Sequence, residues 1–521
     1  MTKDERLSQL RRVINENLRV QRGGTEAIPY IDIGNVVADV GARQNHAIFG
    51  RRGCGKTLLL HHSGERLDSG TQCVYLNCED FKKHSFPNVL IEILDALFAE
   101  LESHLTGWFG RKRKSRELIR SIREQLAKHR ASADTLEQTI RESEAHDTQR
   151  RALASGGLSA SGASLRAELR ETEGRRNEIE RSYRILDDKI RELDMWLPRV
   201  KSQIREFFSL STSVKTIFLQ IDDFYHLARA DQPYVMDYIH RLCKDLPLYF
   251  KVATLRHASV LYADREGQPI GAQERHDYQP INIDFTFADL RRTEHQNRKI
   301  LHEFGRRASM SHAEVDALFK GEGFARLILA GGGVPRDCLS LFLEVHDAAL
   351  SYGSDGRIGK DEVRILSRSN FERRIEELKQ DSEGNEQDAL IRGIYVLRRF
   401  CIDKKINVFM ISEQMMQQED RISQLIYRLL DYRIIHNAGS ALTHKSQLGT
   451  YQAFAIDIGC YAHMRKLQGR FNELDLSGGD AKERMRSAPI LDARQFDELW
   501  NAAPPDAEAA LRAEDDDEEG V

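Results

Sequence analysis

Glycines, a lysine and a threonine stand at a chemically informative spacing in residues 46–62, HAIFGRRGCGKTLLLHH. The apolar residues before Gly50 predict the end of a buried strand, and the leucines after Lys56 predict a helix. A glycine-rich loop between a strand and a helix lets backbone N–H groups point inward, the helix N-terminus adds positive potential, and the lysine reaches terminal phosphates. The stretch fits G-x-x-x-x-G-K-[ST] in this context and predicts a nucleoside triphosphate site.

The predicted nucleotide contacts are the residues of this loop and of the helix start: Gly50, Arg51, Arg52, Gly53, Cys54, Gly55, Lys56, Thr57 and Leu58. Such a site also needs a carboxylate at the end of a buried strand to orient Mg²⁺, directly or through water. The segment KTIFLQIDDFYHL supplies it, because an apolar run from Ile217 to Ile221 ends at Asp222 and Asp223.

Two further stretches place polar residues at predicted breaks in the chain. LYFKVATLRHAS follows the acids by about thirty residues, a spacing that suits the neighbouring strand of a doubly wound sheet. Thr254 would lie between the two phosphate-facing strands, and Arg256, two positions on, would point to the same side, where it could contact a γ-phosphate. In LILAGGGVPRDCLSLF, three glycines break the chain and Pro335 suits the first turn of a helix that presents Arg336.

Taken in order, these stretches resemble the AAA+ ATPases, and within them the origin-recognition-type initiators and the related STAND signalling NTPases. GRRGCGKT is similar to Walker A and IFLQIDD to Walker B. VATLR resembles sensor 1 or the STAND threonine-x-arginine element, and GGGVPRD resembles a Gly-x-Pro turn with a sensor 2 arginine. The resemblance covers roughly residues 25–350, apart from a large insertion.

This resemblance implies ATP and Mg²⁺ as cofactors and gives a role to each residue. The implied magnesium ligands are Thr57 and Asp222, the implied catalytic residues are Asp223, Thr254 and Arg256, and the implied lid contacts are Pro335 and Arg336. Asp223 would polarise the attacking water, a role that usually falls to glutamate. Because aspartate is one methylene shorter, hydrolysis is expected to be slow. The resemblance also implies an ATP-dependent homo-oligomer with an arginine finger in trans, for which Arg241, Arg265 and Arg275 stay open.

The departure from that family is a long insertion, because the Walker motifs are about 165 residues apart. Residues recur in it at alternating steps of three and four, a pattern typical of coiled coils. The two arms hold Ile119, Ile122, Leu126, His129, Ala133, Leu136 and Ile140, then Leu165, Leu169, Thr172, Arg176, Ile179, Tyr183, Leu186, Ile190, Leu193, Leu197, Val200 and Ile204. ASGGLSASGAS between them predicts a flexible turn, so the arms should form an antiparallel hairpin roughly 50 Å long, at about 1.5 Å per residue.

An inserted coiled coil raises a rival assignment, the SMC-type ATPases. LSGGD at residues 476–480 is similar to the signature that those enzymes place across the γ-phosphate. That signature belongs just before Walker B, whereas this copy lies far after it, in a glycine-containing polar stretch that predicts a loop. The order of the motifs therefore favours the AAA+ assignment.

The C-terminal third predicts a winged helix, in which three helices precede two strands around a polar loop. The recognition helix, residues 420–430, would expose Arg421, Gln424 and Arg428, and Lys445 in the wing would touch phosphate. Initiator-type AAA+ proteins carry a winged helix at this place, so DNA is a predicted partner. The alternative is an oligomerisation or protein-partner surface, since the positive charge of this domain is small.

Charge alone gives little support to DNA binding. The formal net charge is −4, and residues 506–521 hold eight acids and one arginine, about −7, which leaves about +3 for the rest, since −4 minus −7 is +3. That acidic tail is predicted to be disordered, with an autoinhibitory or nucleic-acid-mimicking arm as the alternative. The densest basic cluster, GRKRKSREL at residues 110–118, suits either a solvated coiled-coil face or a DNA-backbone contact.

Composition predicts a cytoplasmic protein of several domains. The 521 residues are 40% hydrophobic and 30% charged, no apolar run of about 18 residues occurs, and the N-terminus MTKDERLSQLRR lacks the apolar core of a signal peptide. We therefore expect no membrane association. Seven scattered cysteines without a C-x-x-C pair predict reduced thiols.

The predicted fold class is α/β: a P-loop AAA+ doubly wound parallel sheet with a helical lid, an inserted antiparallel coiled-coil hairpin and a C-terminal winged-helix domain. The expected divisions are 1–100 (first part of the ATPase domain), 101–206 (hairpin), 207–290 (second part), 291–378 (lid), 386–465 (winged helix), 466–505 (helices and loops) and 506–521 (tail). The predicted function is an ATP-dependent switch or assembly ATPase that oligomerises and acts with DNA. The alternative is a STAND-like signalling ATPase that binds a protein partner through the hairpin and the winged helix, without DNA contact.

Overall fold

The computed structural model describes most of the chain. The described residues are 3–18, 28–84, 86–103, 111–131, 190–211, 213–265, 267–351, 356–382, 384–462, 464, 471–476 and 478–516. The outer part of the predicted hairpin, including its turn at residues 154–164, lies outside them. Before the sheet come a helix Lys3–Asn17, packed on the lid through Leu10 and Ile14, and a short helix Val36–Val40.

Parallel strands form the central sheet, in the order β2-β3-β4-β1-β7. The strands of this part of the chain are β1 His46–Phe49, β2 Thr71–Asn77, β3 Thr216–Asp222, β4 Leu248–Thr254, β5 Tyr262–Arg265, β6 Gln268–Gly271 and β7 Gln279–Asn282. β5 and β6, which lie between β4 and β7 in the chain, pair with each other in a separate antiparallel sheet. β4 lies between β1 and β3, which confirms the predicted neighbour of the strand that carries the two acids.

Helices cover both faces of this sheet. On one face, Ile48 of β1 packs with Leu59 of the helix Lys56–Glu65. On the other, Phe49 belongs to a cluster formed with the helices Asn88–Ser103, 190–210 and Gln232–Cys243. Parallel strands covered on both faces consist of nearly continuous apolar residues, and all of β3 is buried. The predicted α/β class with a doubly wound parallel sheet is confirmed.

The base of the insertion consists of two antiparallel helices, Arg111–Ala131 and 190–210. Trp196 Nε1 donates to Gln125 Oε1 at 2.5 Å, and His129 pairs with Glu192 at 3.2 Å, so numbering rises along one helix as it falls along the other. Of the described apolar residues of the predicted seam, Ile190 is half-buried and the others are buried in the same core as the sheet: Ile119, Ile122, Leu126, Leu193, Leu197, Val200 and Ile204. The described base of the insertion therefore shares the hydrophobic core of the sheet domain.

Helices follow β7 over the range expected for the lid, and this segment is called the lid below: Leu290–Arg307, His312–Asp316, Gly323–Ala330, Pro335–Ser351 and Lys360–Asp381. The turn before Pro335 contains Gly332 and Gly333 with φ of 63° and 72°. These values lie in the left-handed region, which glycine enters without strain. Pro335 begins the next helix, as its fixed φ favours.

The C-terminal part adds a second, smaller sheet. Its elements are helix Gly384–Lys404, β8 Val408–Ser412, helices Glu413–Gln418 and Asp420–Asp431, β9 Ile435–Thr443 and β10 Thr450–Ile456, followed by helices Ala481–Met485, Ala493–Ala502 and Ala507–Asp516. The strands are antiparallel in the order β8-β10-β9. The sequence prediction of three helices and two strands omitted β8, whose β-branched and aromatic residues favour a strand once β10 pairs with them.

Two segments whose polar composition is typical of a linker or a tail contain helices. The acidic, glycine-containing stretch 379–388 falls at the expected division between the lid and the C-terminal domain, but one helix ends at Asp381 and the next begins at Gly384. The lid and the C-terminal domain share one hydrophobic core, which includes Leu378 and Leu397. Residues 506–521 are predicted to be disordered, yet the helix Ala507–Asp516 packs with Leu511 buried, and Arg398 donates to the Leu511 carbonyl at 3.0 Å.

The seven cysteines are free. Within the described ranges, none of the helices combines the length and the apolar character needed to span a bilayer.

Candidate nucleotide site

The glycine loop connects β1 to the helix Lys56–Glu65 and requires glycine at two positions. Gly53 and Gly55 have φ of 85° and 90°, in the left-handed region. A Cβ atom on Gly53 would lie 2.8 Å from Arg336 Cβ, so the loop packs closely against the lid. Gly55 precedes the first helical residue, and the helix N-terminus therefore faces the loop. This strand-loop-helix geometry suits an anionic phosphate chain.

Lys56 is buried inside the loop. Its Nζ donates to the carbonyls of Gly50 at 2.8 Å and Arg51 at 3.3 Å. Burial lowers the pKa of this ammonium, while the carboxylate of Asp223 acts in the opposite direction. The loop therefore holds the Lys56 amine at its centre, where its charged form can serve as a point charge for phosphates.

The two acids at the end of β3 have different surroundings. Asp222 is fully buried and accepts hydrogen bonds from the Tyr75 hydroxyl at 2.7 Å and from the Asp223 N–H at 2.9 Å. Asp223 has φ 50°, a strained value for a non-glycine residue, and lines the cavity in front of the loop. Burial, and then the charge of Asp222, raise the pKa of Asp223 to about 6.

These groups fit a magnesium ion that is held jointly with a nucleotide. Thr57 and Asp223 line the cavity, and Asp222 lies behind them with both oxygens already accepting hydrogen bonds. Asp222 is therefore suited to a contact through water. Among the described residues, no three His, Cys, Asp or Glu side chains cluster as a metal site. Mg²⁺ commonly takes only one or two protein ligands and completes its shell with phosphates and water.

The two residues predicted to act at the end of β4, Thr254 and Arg256, differ in their burial and contacts. Thr254 is fully buried, and its hydroxyl shares a hydrogen bond with Ser259. Arg256 is 46% exposed, pairs with Glu274 at 2.9 Å and lies over the Phe49 ring at 4.4 Å. These contacts hold Arg256 outside the cavity lining, so its predicted contact with a γ-phosphate has no support in this geometry.

One arginine of the lid and one of the glycine loop do reach the cavity. Arg336 lines it from the first turn of the helix that Pro335 begins. Arg52 lines it from the glycine loop, donates to the Tyr225 hydroxyl at 3.0 Å and pairs with Asp381 of the lid. Of the two predicted sensor arginines, the structure therefore brings Arg336 to the phosphate loop and leaves Arg256 aside.

Arg51 and Cys54 of the predicted contact set face protein groups instead. Arg51 is buried, pairs with Asp284 at 2.6 Å and lies 3.3 Å from His436 Nδ1. Cys54 Sγ is 3.4 Å from the same carboxylate. Arg51 thereby links the glycine loop to β9 of the C-terminal domain. Leu58 lies on the helix and outside the cavity lining.

The cavity has a volume of about 950 Å³, at the upper end of the range of about 300–1,000 Å³ usual for small-molecule sites. One wall comes from the C-terminal domain, which contributes Arg428, Asp431 and Tyr432 from the end of a single helix. Asp431 and Tyr432 carry no local sequence signal for this role. Their approach depends on how the C-terminal domain packs against the sheet domain, which periodicity and spacing do not reveal.

The predicted DNA-reading residues do not form one open row. Arg421 and Gln424 are exposed on the helix Asp420–Asp431, with Arg421 paired to Asp497 at 2.5 Å. Arg428 pairs with Glu386 at 2.8 Å and lines the nucleotide cavity. This corrects the expectation for Arg428, because the C-terminal half of the helix packs against the sheet domain and only the N-terminal half faces outward.

The predicted wing, the polar segment 436–449, is strand over more than half of its length, because β9 extends to Thr443 and only residues 444–449 form the loop to β10. Lys445 pairs there with Glu483 at 3.1 Å. In the basic cluster at the insertion, Arg113 pairs with Glu117 at 2.8 Å. Each of these two proposed DNA-phosphate contacts, Lys445 and the basic cluster at residues 110–118, therefore has a basic side chain paired with a glutamate.

Of the arginine-finger candidates, Arg275 is exposed, with φ 66°. Arg241 pairs with Asp194 at 2.7 Å and Asp237 at 2.7 Å. The Arg265 side chain lies outside the described part of the chain.

The LSGGD stretch lies away from the cavity. Leu476 is buried, and a turn in which the Ala481 N–H donates to the Gly478 carbonyl leads into the helix Ala481–Met485. A Cβ on Gly479 would lie 3.9 Å from Arg291 of the lid. This placement agrees with a loop rather than a phosphate-contacting signature.

The sequence matches no protein-family model and none of the curated proteins. A search of solved structures matches this chain to the ORC2 protein of Aeropyrum pernix, in ADPNP and ADP complexes, at 12% identity and a TM-score of 0.35 over 94% of this chain and 98% of that one. Drosophila ORC bound to DNA gives 11% identity and a TM-score of 0.33 over 89% and 92%. A Walker-type ATPase of Pyrococcus abyssi gives 12% and 0.37 over 86% and 99%. At these scores the likeness assigns no function.

Proposed function

We propose that this chain is an ATP-binding ATPase of the AAA+ type that works as a nucleotide-controlled switch. The observation that supports it best is the single cavity lined by the glycine loop, the acid at the end of β3, a lid arginine and the C-terminal helix. A nucleotide in that cavity contacts three separate parts of the chain. Its binding energy can therefore favour one arrangement of those parts over another.

The chain's own groups supply the chemistry in this proposal. Backbone N–H groups of the loop and the helix N-terminus hold the phosphates, and Lys56 places its charge beside them. Thr57 and Asp222 would hold Mg²⁺, and the ion would supply positive charge that neutralises the phosphate oxygens. Asp223 faces the cavity and polarises the attacking water. Its carboxylate is one methylene shorter than glutamate, so slow turnover is part of the proposal.

Nucleotide binding is tested by comparing Lys56→Ala with Lys82→Ala in calorimetric titrations with ATP. Both lysines line the cavity, but Lys82 is at its exposed rim beside Glu79. Lys56→Ala should lose ATP binding by at least about thirtyfold, because a charge-assisted contact with phosphate is removed. Lys82→Ala should stay within about threefold. Equal effects in the two variants would remove the loop lysine from the site.

We also propose that the C-terminal elements form a winged helix that acts with DNA. The support is their order, helix, strand, two helices and two antiparallel strands around the loop 444–449. Arg421 and Gln424 are the exposed candidates for base edges, and Lys445 is the candidate for phosphate. Each chain offers few DNA contacts. In an ATP-dependent homo-oligomer, several chains would contact one duplex together, and this would increase the affinity for DNA.

The ion pairs of Arg421 and Lys445 favour a second candidate, a protein partner bound through the same surface without DNA contact. Mobility-shift and light-scattering measurements with ADP and with a non-hydrolysable ATP analogue separate the two. DNA binding at about 50 mM salt that weakens with added salt supports the first. Oligomers that form with the analogue but show no DNA affinity support the second.

A further inference from the structure

Arg433 of the C-terminal domain contacts the glycine loop, although the two are far apart in the sequence. Its side chain is buried, with 2% exposed, and it follows the helix Asp420–Asp431 by two residues. One guanidinium nitrogen donates to the Arg52 carbonyl at 3.3 Å. An arginine of the C-terminal domain therefore holds a backbone group of the loop that is proposed to bind phosphates.

The other contacts of this guanidinium are made with the lid. The nitrogen that contacts the loop also donates to Asp337 at 3.1 Å, and the second nitrogen pairs with Glu377. Asp337 directly follows Arg336 in the sequence, and both Arg336 and Glu377 line the nucleotide cavity. Arg433 therefore connects the loop to two parts of the lid that border the cavity.

The backbone of Arg433 has a conformation that is unusual for a side chain of this size. Its φ is 63°, in the left-handed region, which a residue other than glycine keeps only when its surroundings hold it there. Arg374 of the lid donates to the Arg433 carbonyl at 3.0 Å, and the Arg433 N–H donates to the Leu430 carbonyl at 3.0 Å. These contacts determine the direction in which the Arg433 side chain leaves the backbone.

The contact with the Arg52 carbonyl also determines where the next N–H group points. A trans peptide is planar, so its C=O and N–H groups point in opposite directions. Because the Arg52 carbonyl is directed at Arg433, the N–H of Gly53 is directed away from Arg433, and Gly53 lines the cavity. The Gly53 carbonyl is held in turn by the Arg336 N–H at 3.4 Å. Loops of this kind bind phosphate through N–H groups that point inward.

We propose that Arg433 is a positioning residue for phosphate binding. It holds the Arg52–Gly53 peptide with its N–H toward the cavity, and it keeps the lid helix that carries Arg336 against the loop. Without this contact the peptide could turn over and direct a carbonyl oxygen at the phosphates, which it would repel. The C-terminal domain thereby completes the nucleotide site. This inference rests on the proposed nucleotide site.

The test is a calorimetric titration of Arg433→Met and of a matched control, Arg398→Met, with ADP and with a non-hydrolysable ATP analogue. Arg398 is 1% exposed and donates to the carbonyls of Cys460 at 2.9 Å and Leu511 at 3.0 Å, outside the cavity lining. Both substitutions remove a buried guanidinium that holds backbone carbonyls, but of the two arginines Arg433 is the one that contacts the glycine loop. The titrations are made at a temperature at which circular dichroism shows each variant to be fully folded, so that a loss of stability does not change the measured affinity.

Arg433→Met should lower both affinities by about tenfold, which corresponds to one lost hydrogen bond to a charged group, because the loop contacts phosphates that both nucleotides carry. Arg398→Met should stay within about twofold of the wild type. Arg433→Lys separates position from charge, since it keeps a cation beside Asp337 and Glu377 but not the two-branched donor. It should also lose at least about fivefold in affinity. If a methionine variant does not fold, Arg433→Lys and Arg398→Lys form the pair that is compared.

Wild-type affinity in Arg433→Met, or in Arg433→Lys, would overturn the proposal, because the contact would then be dispensable or its charge alone would matter. An equal loss in the Arg398 variant would also overturn it, since the effect would then follow from removing any buried arginine. If the wild type and the Arg398 variant bind neither nucleotide, the proposed nucleotide site itself fails. The two failures are therefore distinguishable.

Discussion

Asp223 is the residue whose protonation state should control turnover. Burial and the charge of Asp222 raise its pKa to about 6, and the carboxylate must be ionised to polarise water. A raised pKa means that the charged form is present above about pH 6 and is lost as the pH falls through that value. Turnover at saturating ATP should therefore fall about tenfold for each pH unit below 6. A profile that is flat from pH 7 to pH 5 would contradict this role.

Substitutions of Arg336 and Arg256 are expected to differ in their effect on nucleotide affinity. Arg336 lines the cavity, whereas Arg256 pairs with Glu274 outside it. Arg336→Ala should therefore reduce the affinity difference between ADP and a triphosphate analogue, and Arg256→Ala should leave that difference unchanged. Nucleotide titrations of both variants decide the question. The opposite pattern would restore Arg256 as the sensor.

A short sequence motif can identify a site residue when the local backbone alone determines where its side chain lies. The loop around Lys56 and the acid pair after Ile221 could be predicted because strand, turn and helix propensities fix them within a few residues. Arg428 and Asp431 could not be assigned to the site from sequence. Their helix shows a regular amphipathic pattern, and only the docking of the C-terminal domain decides that its end faces the nucleotide cavity.

The two helices at the base of the insertion are expected to contribute to the stability of the sheet domain. Leu197 is 7% exposed in the core that also holds the central sheet, whereas Met195, two residues earlier, is 68% exposed. Leu197→Ala should lower the free energy of unfolding by about 2–5 kcal/mol, because it leaves a cavity in that core. Met195→Ala should change it by less than about 0.5 kcal/mol. Urea denaturation checks both values, and equal effects would mean that the base is not part of the core.

The boundaries of helices and strands can be predicted where the apolar residues recur with a clear period. They cannot be predicted where polar composition is the only sign that an element ends. β3 and β4 follow from their apolar runs. Residues 379–388 and 506–521 have an acidic composition that favours a linker or a tail. Leu378, next to the first segment, and Leu511, in the described part of the second, are nevertheless buried in one shared core. β8 was missed because a strand of this length depends on pairing with β10, which is nearly forty residues away in sequence.

A network of buried charged side chains connects the sheet domain, the lid and the C-terminal domain. Arg374 of the lid is 2% exposed, pairs with Asp457 and donates to the Ala330 carbonyl at 3.0 Å. Asp457 also lies 3.0 Å from His436, which in turn contacts Arg51 of the glycine loop. The phosphate loop and the C-terminal domain are therefore coupled through buried, mutually dependent contacts.

Arg374→Met should consequently cost about 3–5 kcal/mol of unfolding free energy, because it leaves Asp457 as an uncompensated buried charge. Arg373→Met is the adjacent control. Arg373 is 44% exposed and pairs with Glu344 at the surface, so its loss should cost at most about 1 kcal/mol. Denaturant titrations measure both, and a small effect of Arg374→Met would mean that the network does not hold the parts together.

The proposal that this cavity binds and hydrolyses ATP is tested most directly by measuring ATP affinity and turnover together in Lys56→Ala and Asp223→Asn. Lys56→Ala should lose binding, and with it turnover. Asp223→Asn should bind ATP within about threefold of the wild type while its turnover falls by at least about a hundredfold, since only the polarisation of water is removed. Equal losses of binding in the two variants, or full turnover in Asp223→Asn, would contradict the account.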